Sequence, residues 1–149
     1  MGAAKSYAER LFEFPEVGPL APDAAKLAIE KPAQDNQVAV TPDALDLIVA
    51  ETRGYPYFLQ EWGKHSWDAA TTSPITASDV RLGSTVAIAA LDESFFRVRF
   101  DRLTPTERRY LRAMAQLGPG PHRSGSIFTV PLFDEFMHRI MPGDDWKNA

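Results

Sequence analysis

The chain has 149 residues, 44% hydrophobic and 24% charged, which excludes wholesale disorder and allows one good domain or two small modules leaning on each other. Its net charge of -4 and pI of about 5.3 exclude nucleic-acid binding through bulk charge, and the absence of cysteine excludes disulfides and thiolate metal sites. No run approaches a membrane span and the N-terminus has no signal-peptide pattern, so the expectation is a cytoplasmic chain with no membrane partner.

In chain order, Arg10-Leu11-Phe12-Glu13-Phe14 alternates like a short strand, ended by Pro15 and Gly18-Pro19. A lone strand needs a sheet to satisfy its backbone groups, a first pointer to a missing N-terminal domain. Pro22 and Asp23 suit the first turn of a helix over 22–30, carrying Ala25, Leu27, Ala28 and Ile29 and ended or kinked at Pro32. Thr41-Pro42-Asp43 is a stronger start, with a capping hydroxyl and a proline at the first helical position. Leu45, Ile48, Val49 and Thr52 form its inner face, and Gly54 sits just past its end. Pro56 opens the next helix, whose apolar stripe is Phe58, Leu59, Trp62, Ser66 and Ala69.

Thr71-Thr72-Ser73-Pro74 is a linker, and Thr76-Ala77-Ser78-Asp79 resembles a capping box with aspartate in place of glutamate. A long helical stretch then runs to about residue 102, with Val80, Ile88, Leu91, Phe95 and Phe96 inside and a break near Asp92-Glu93-Ser94. Thr104-Pro105-Thr106-Glu107 is a full capping box, followed by a core face of Tyr110, Leu111, Met114 and Leu117. Gly118-Pro119-Gly120-Pro121 stops that helix. Ile127 to Val130 reads as a short strand. Pro131 opens a last helix with Leu132, Phe133, Phe136, Met137 and Ile140, and the tail from Pro142 is expected to fray. The fold class is therefore mainly α, with short strands near both ends.

The charge is uneven. Residues 1–75 hold 6 Lys/Arg against 11 Asp/Glu, while residues 97–139 hold 8 Arg against 4 Asp/Glu. Either these are two solvated faces of different sign, or the second half meets a polyanion or an acidic partner. The chain has no G-x-x-x-x-G-K-[ST] loop for a triphosphate and no acidic pair after an apolar strand for magnesium. His65, His122 and His138 lack metal-ligand spacing, and no serine sits in a nucleophile elbow. No catalytic residue and no metal site are assigned. The most distinctive motif is Gly54-Tyr55-Pro56-Tyr57-Phe58-Leu59-Gln60: a helix-ending glycine, one linking residue, and a proline opening the next helix. It is an ordinary helical corner, or else a flat apolar surface suited to a nucleobase or a neighbouring domain.

Three segments carry a resemblance: Ala4 to Phe12, Gly54 to Gly63, and Leu91-Asp92-Glu93-Ser94-Phe95-Phe96 with Arg102-Leu103-Thr104-Pro105. Together they resemble bacterial AAA ATPases, single-chain ATP-binding proteins related to the Orc/Cdc6 group and the STAND NTPases. The resemblance implies the end of a P-loop ATPase core over 1–19 and an AAA helical lid over 20–82. It further implies a winged-helix-like domain over 83–141, shortened near 125–127, and a tail over 142–149. It places Gly54, Tyr55 and Pro56 at the adenine side of a nucleotide, with Arg10 near it, and implies ATP with Mg in the intact family member.

Two departures matter. Walker A and Walker B are absent, so hydrolysis does not carry over and no cofactor is expected for this chain alone. The stretch after His122-Arg123-Ser124-Gly125 is also too short to hold the recognition helix of a winged-helix domain. The expectation is thus a lid and winged-helix fragment with a regulatory or interaction role. Its partners would be the missing N-terminal P-loop domain and a protein partner or a second copy. One alternative is a winged-helix DNA-binding module, resting on Arg97, Arg99, Arg102, Arg108, Arg109, Arg112 and Arg123, with Arg108, Arg109, Arg112 and Arg123 as the DNA contacts. The other is a ligand-free helical scaffold.

Overall fold

The computed structural model describes residues 18–118, 120 and 128–147. The first helices are α1 (Pro22–Asp35), α2 (Pro42–Thr52), α3 (Pro56–Ala69) and α4 (Ala77–Leu91). Then α4 runs through a π turn (Asp92–Phe96) into α5 (Arg97–Asp101), followed by α6 (Pro105–Gln116), α7 (Phe133–Ile140) and a 3-10 turn at Asp145–Lys147. The protein is mainly α. Among the described residues no strand forms; residues 128–130 are irregular where a short strand was expected, and the expected strand at 10–14 lies outside the described residues. The one strand-like feature described is the isolated parallel bridge between Val40 and Ile75, which joins the α1–α2 connection to the linker before α4.

Proline opens α1, α2, α3 and α6, where its fixed φ fits a helix and its missing N–H costs nothing. The two capping boxes form as the sequence implies. Thr76 Oγ1 accepts from the Asp79 N–H while Asp79 accepts from the Thr76 N–H at 2.8 Å. Thr104 and Glu107 repeat the arrangement at α6. Thr41 does not: its hydroxyl makes no capping bond, so Pro42 starts α2 without it. Nor does Pro32 end α1, which continues to Asp35; the lost N–H removes only one bond near the last turn.

The core is continuous. Leu45 and Ile48 of α2, Phe58, Leu59 and Trp62 of α3, and Val80, Ala87 and Leu91 of α4 are all buried and join Phe96, Phe136 and Met137 in one cluster. Close approach of α3 and α4 requires Gly83, since a Cβ there would lie 2.6 Å from the His65 carbonyl oxygen. Of the apolar residues on α1, Ala25 is buried and Leu27 is exposed.

The expected break at Asp92-Glu93-Ser94 is instead the π turn. A π turn inserts one residue without ending the helix. It brings the adjacent Phe95 and Phe96 both into the core. Arg139 of α7 grips this turn, donating to both Asp92 carboxylate oxygens at 2.7 and 2.8 Å. The expected boundary at 82/83 falls inside α4.

Two expectations for the second half are corrected. On α6 Met114 is buried and Leu111 packs on the core as expected, but Tyr110 and Leu117 are exposed and Arg112 and Ala115 take the other inner positions. The tail does not fray at Pro142. Trp146 is buried, its indole donates to the Gly143 carbonyl at 2.8 Å, and Arg112 of α6 holds the returning tail through the Met141 carbonyl and the Trp146 ring.

Candidate functional site at the α2–α3 corner

The corner is built by two consecutive left-handed residues, Arg53 (φ 50°) and Gly54 (φ 71°). Thr52 closes α2 by donating its hydroxyl to the Ile48 carbonyl at 2.7 Å, and the Tyr55 N–H returns to the Thr52 carbonyl at 3.0 Å. Gly54 is required twice over. Its φ favours glycine, and its carbonyl accepts from the Leu20 N–H at 2.9 Å, with a Cβ at this position falling 2.3 Å from the Leu20 carbonyl oxygen. The segment leading into α1 therefore lies directly on the corner.

Pro56 then starts α3, whose first turn has no side-chain cap. That turn leaves backbone N–H groups and the positive end of the helix dipole available to an acceptor. Around it, Tyr55 is half-buried against Phe58 (ring centroids 4.8 Å apart) and Tyr57 is exposed, lying 5.2 Å from Phe95 at an interplanar angle of 23°. Phe95 meets Phe58 edge-on at 5.3 Å and carries the Arg99 guanidinium 3.5 Å from its ring centre. Arg99 also donates to the Phe95 carbonyl at 2.8 Å. The structure thus brings together Gly54, Tyr55, Pro56 and Tyr57 of the motif, and adds Leu20, Phe95 and Arg99. Sequence reading placed Phe95 in the core and Arg99 in an arginine-rich stretch. The link between them was missed because it depends on the π turn. Arg10 lies outside the described residues.

The arginines assigned to DNA are not displayed as a set. Arg112 is buried, donating from Nε to the Met141 carbonyl at 2.7 Å, with its guanidinium 5.2 Å from the Trp146 ring centre. Arg108 stacks on Phe100 at 4.4 Å and donates to the Asp101 carbonyl at 3.3 Å. Arg109 is half-buried and also engaged within the fold. Arg123, His122 and the shortened stretch at 125–127 lie outside the described residues. His138 is exposed and its ring Nε2 lies 3.1 Å from the Ala115 carbonyl oxygen. Among the described residues no cluster of His, Asp and Glu is arranged to hold a metal, and no helix is long and apolar enough to cross a membrane.

A family model described as a domain of unknown function, DUF8462, matches residues 93–127, from the π turn through α6 and beyond. No curated protein and no solved structure matches the chain.

Proposed function

We propose that this helical unit is the lid of an AAA- or STAND-type ATP-binding protein, with residues beyond the lid belonging to a shortened winged-helix region and with a regulatory or interaction role. The observation that carries this reading is the α2–α3 corner: Gly54 locked against Leu20, Pro56 opening α3, and exposed Tyr57 beside a helix start with no side-chain cap. An adenine ring fits such a surface through stacking and through backbone donors. Tyr55 shapes the wall from behind.

The chain supplies no phosphate-binding loop, so ATP with Mg is held tightly only when a P-loop domain contributes the rest of the site. That domain is the principal partner in this reading. Leu82 and Val86, exposed one helical turn apart on α4, offer apolar surface for an interaction with it or with a second copy. The chain alone does not hydrolyse ATP.

Isothermal titration of the full chain with MgATP tests the reading. Binding no tighter than about millimolar is expected, because the adenine contacts alone leave most of the nucleotide's charge unpaired. Micromolar binding would sink it, since that affinity needs a phosphate cradle within the chain.

A further inference from the structure

A cavity of about 310 Å³ opens between α1 and α3, away from the α2–α3 corner. Its origin is local. At Gly63 the two helices touch: a Cβ there would sit 3.1 Å from Ile29 Cδ1. Beside that contact, α1 presents Ala28, Pro32 and Ala33, whose short side chains leave the gap open. The apolar floor comes from Ile29, Val40, Leu59 and Ile75.

The rim is different in kind. Gln60, Lys64 and Trp67 follow at i, i+4 and i+7 along α3, and Asn36 stands opposite at the end of α1. Trp67 is 42% exposed, unlike Trp62 (1%) and Trp146 (8%). It also lines a second cavity of about 250 Å³, with Val38, Ala70 and Ile75 but also Thr71, Thr72 and Ser73, so one exposed indole borders an apolar space and a more polar one beside it.

The electrostatics are one-sided. The chain has more acids than bases, yet neither cavity is lined by any Asp or Glu, and the first has a single charged group, Lys64. Glu61 and Asp68 lie within a turn of it, but no ion pair forms to Lys64 among the described residues. An apolar pocket with a few convergent polar groups at its mouth is the usual form of a small-molecule site.

We infer that this groove binds a small amphipathic carboxylate. Its hydrocarbon part lies on Ile29, Leu59 and Ile75 under Trp67, and its carboxylate meets the Lys64 ammonium and the Gln60 amide. The chemistry is that of an aliphatic or aryl-alkyl monocarboxylate, too small to be a lipid surface.

Sodium octanoate is the probe, added to the full chain while tryptophan emission is followed. Saturable binding is expected, reported by Trp67 and abolished as a signal by Trp67→Phe, while calorimetry still detects it. Shortening the probe to hexanoate weakens binding about fourfold per methylene removed. Octan-1-ol binds more weakly than octanoate, and Lys64→Gln removes most of that difference, about threefold to fivefold for a rim ion pair. Ala28→Leu, which fills the cavity from a half-buried position, abolishes binding while circular dichroism confirms the fold. Non-saturable titration overturns the inference. So does equal binding of octanoate and octan-1-ol, or octanoate binding unchanged in both Lys64→Gln and Ala28→Leu.

Discussion

The helices α1 to α4 and the elements from α5 onward use their polar residues in opposite ways. In the first region the interior is aliphatic and aromatic apart from the hydroxyls of Thr52, Ser66 and Ser84, glycines at 54 and 83 set the close approaches, and exposed aromatics remain at the surface, Tyr57 at the corner and Trp67 at the groove. In the second region arginines do structural work. Arg99 lies on Phe95, Arg108 on Phe100, Arg112 beneath the returning tail, and Arg139 clamps Asp92. A count of basic residues therefore overstates the charge this region offers a polyanion, because a guanidinium that caps carbonyls or covers a ring is committed before any ligand arrives.

The largest expected effect comes from cutting the link between the regions. Phe96 touches Phe58 on one side and Phe133 and Phe136 on the other. Phe96→Ala is expected to lose about 3–5 kcal/mol in urea unfolding, the cost of a large cavity in a core. It should also separate the single unfolding transition into two. Next comes the contrast among arginines. Arg112→Met keeps the apolar stem but strips donors from the Met141 and Gly143 carbonyls, for an expected loss of about 1–3 kcal/mol. Exposed Arg102→Ala should stay within about 0.5 kcal/mol. Equal losses in the two variants would erase the distinction between buried and displayed arginines.

Gly54→Ala should cost about 1–3 kcal/mol, from a strained left-handed alanine and the clash with Leu20. Thermal melts read this directly. The smallest effects are at the caps, one in each region, where Thr76→Ala and Thr104→Ala should each cost about 1 kcal/mol. The Thr76 hydroxyl holds the Asp79 carboxyl below its usual range, and the Thr104 backbone N–H does the same for Glu107. A carboxylate whose pKa is lowered by folding stabilises the fold above its unfolded pKa and loses that contribution as pH falls through the folded one. The Thr76→Ala penalty should therefore shrink in melts below about pH 4, and the Thr104→Ala penalty less so, because alanine keeps the backbone N–H that holds Glu107. A penalty that grows on acidification would contradict the capping geometry.

Much of the first region was legible in the sequence because its signals are local. Pro22, Pro42 and Pro56 mark helix starts, and Phe58, Leu59, Trp62 and Ser66 of the expected α3 stripe are buried, with Ala69 half-buried at its end. The second region was harder because its decisive contacts are long-range. No local pattern says that Trp146 returns to cover Arg112, so Tyr110 and Leu117 looked like better core residues than the arginine that replaced them. The π turn was read as a break because Asp92-Glu93-Ser94 is a good cap sequence, while the contacts that engage it, Phe95 and Phe96 in the core and Arg139 on Asp92, are long-range. At the corner, Gly54 to Pro56 was visible, but the contact of Leu20 with Gly54 spans more than thirty residues and was not.

The claim that the open aromatic corner, and not the arginine-rich half, faces the ligand is tested most directly by amide chemical-shift mapping of the full chain titrated with MgATP to about tens of millimolar. The account predicts shifts concentrated at Leu20, Gly54, Tyr55, Tyr57 and Phe58, reduced in Tyr57→Ala. Shifts centred instead on Arg108, Arg109 and Arg112, or none at the corner at saturating nucleotide, would contradict it.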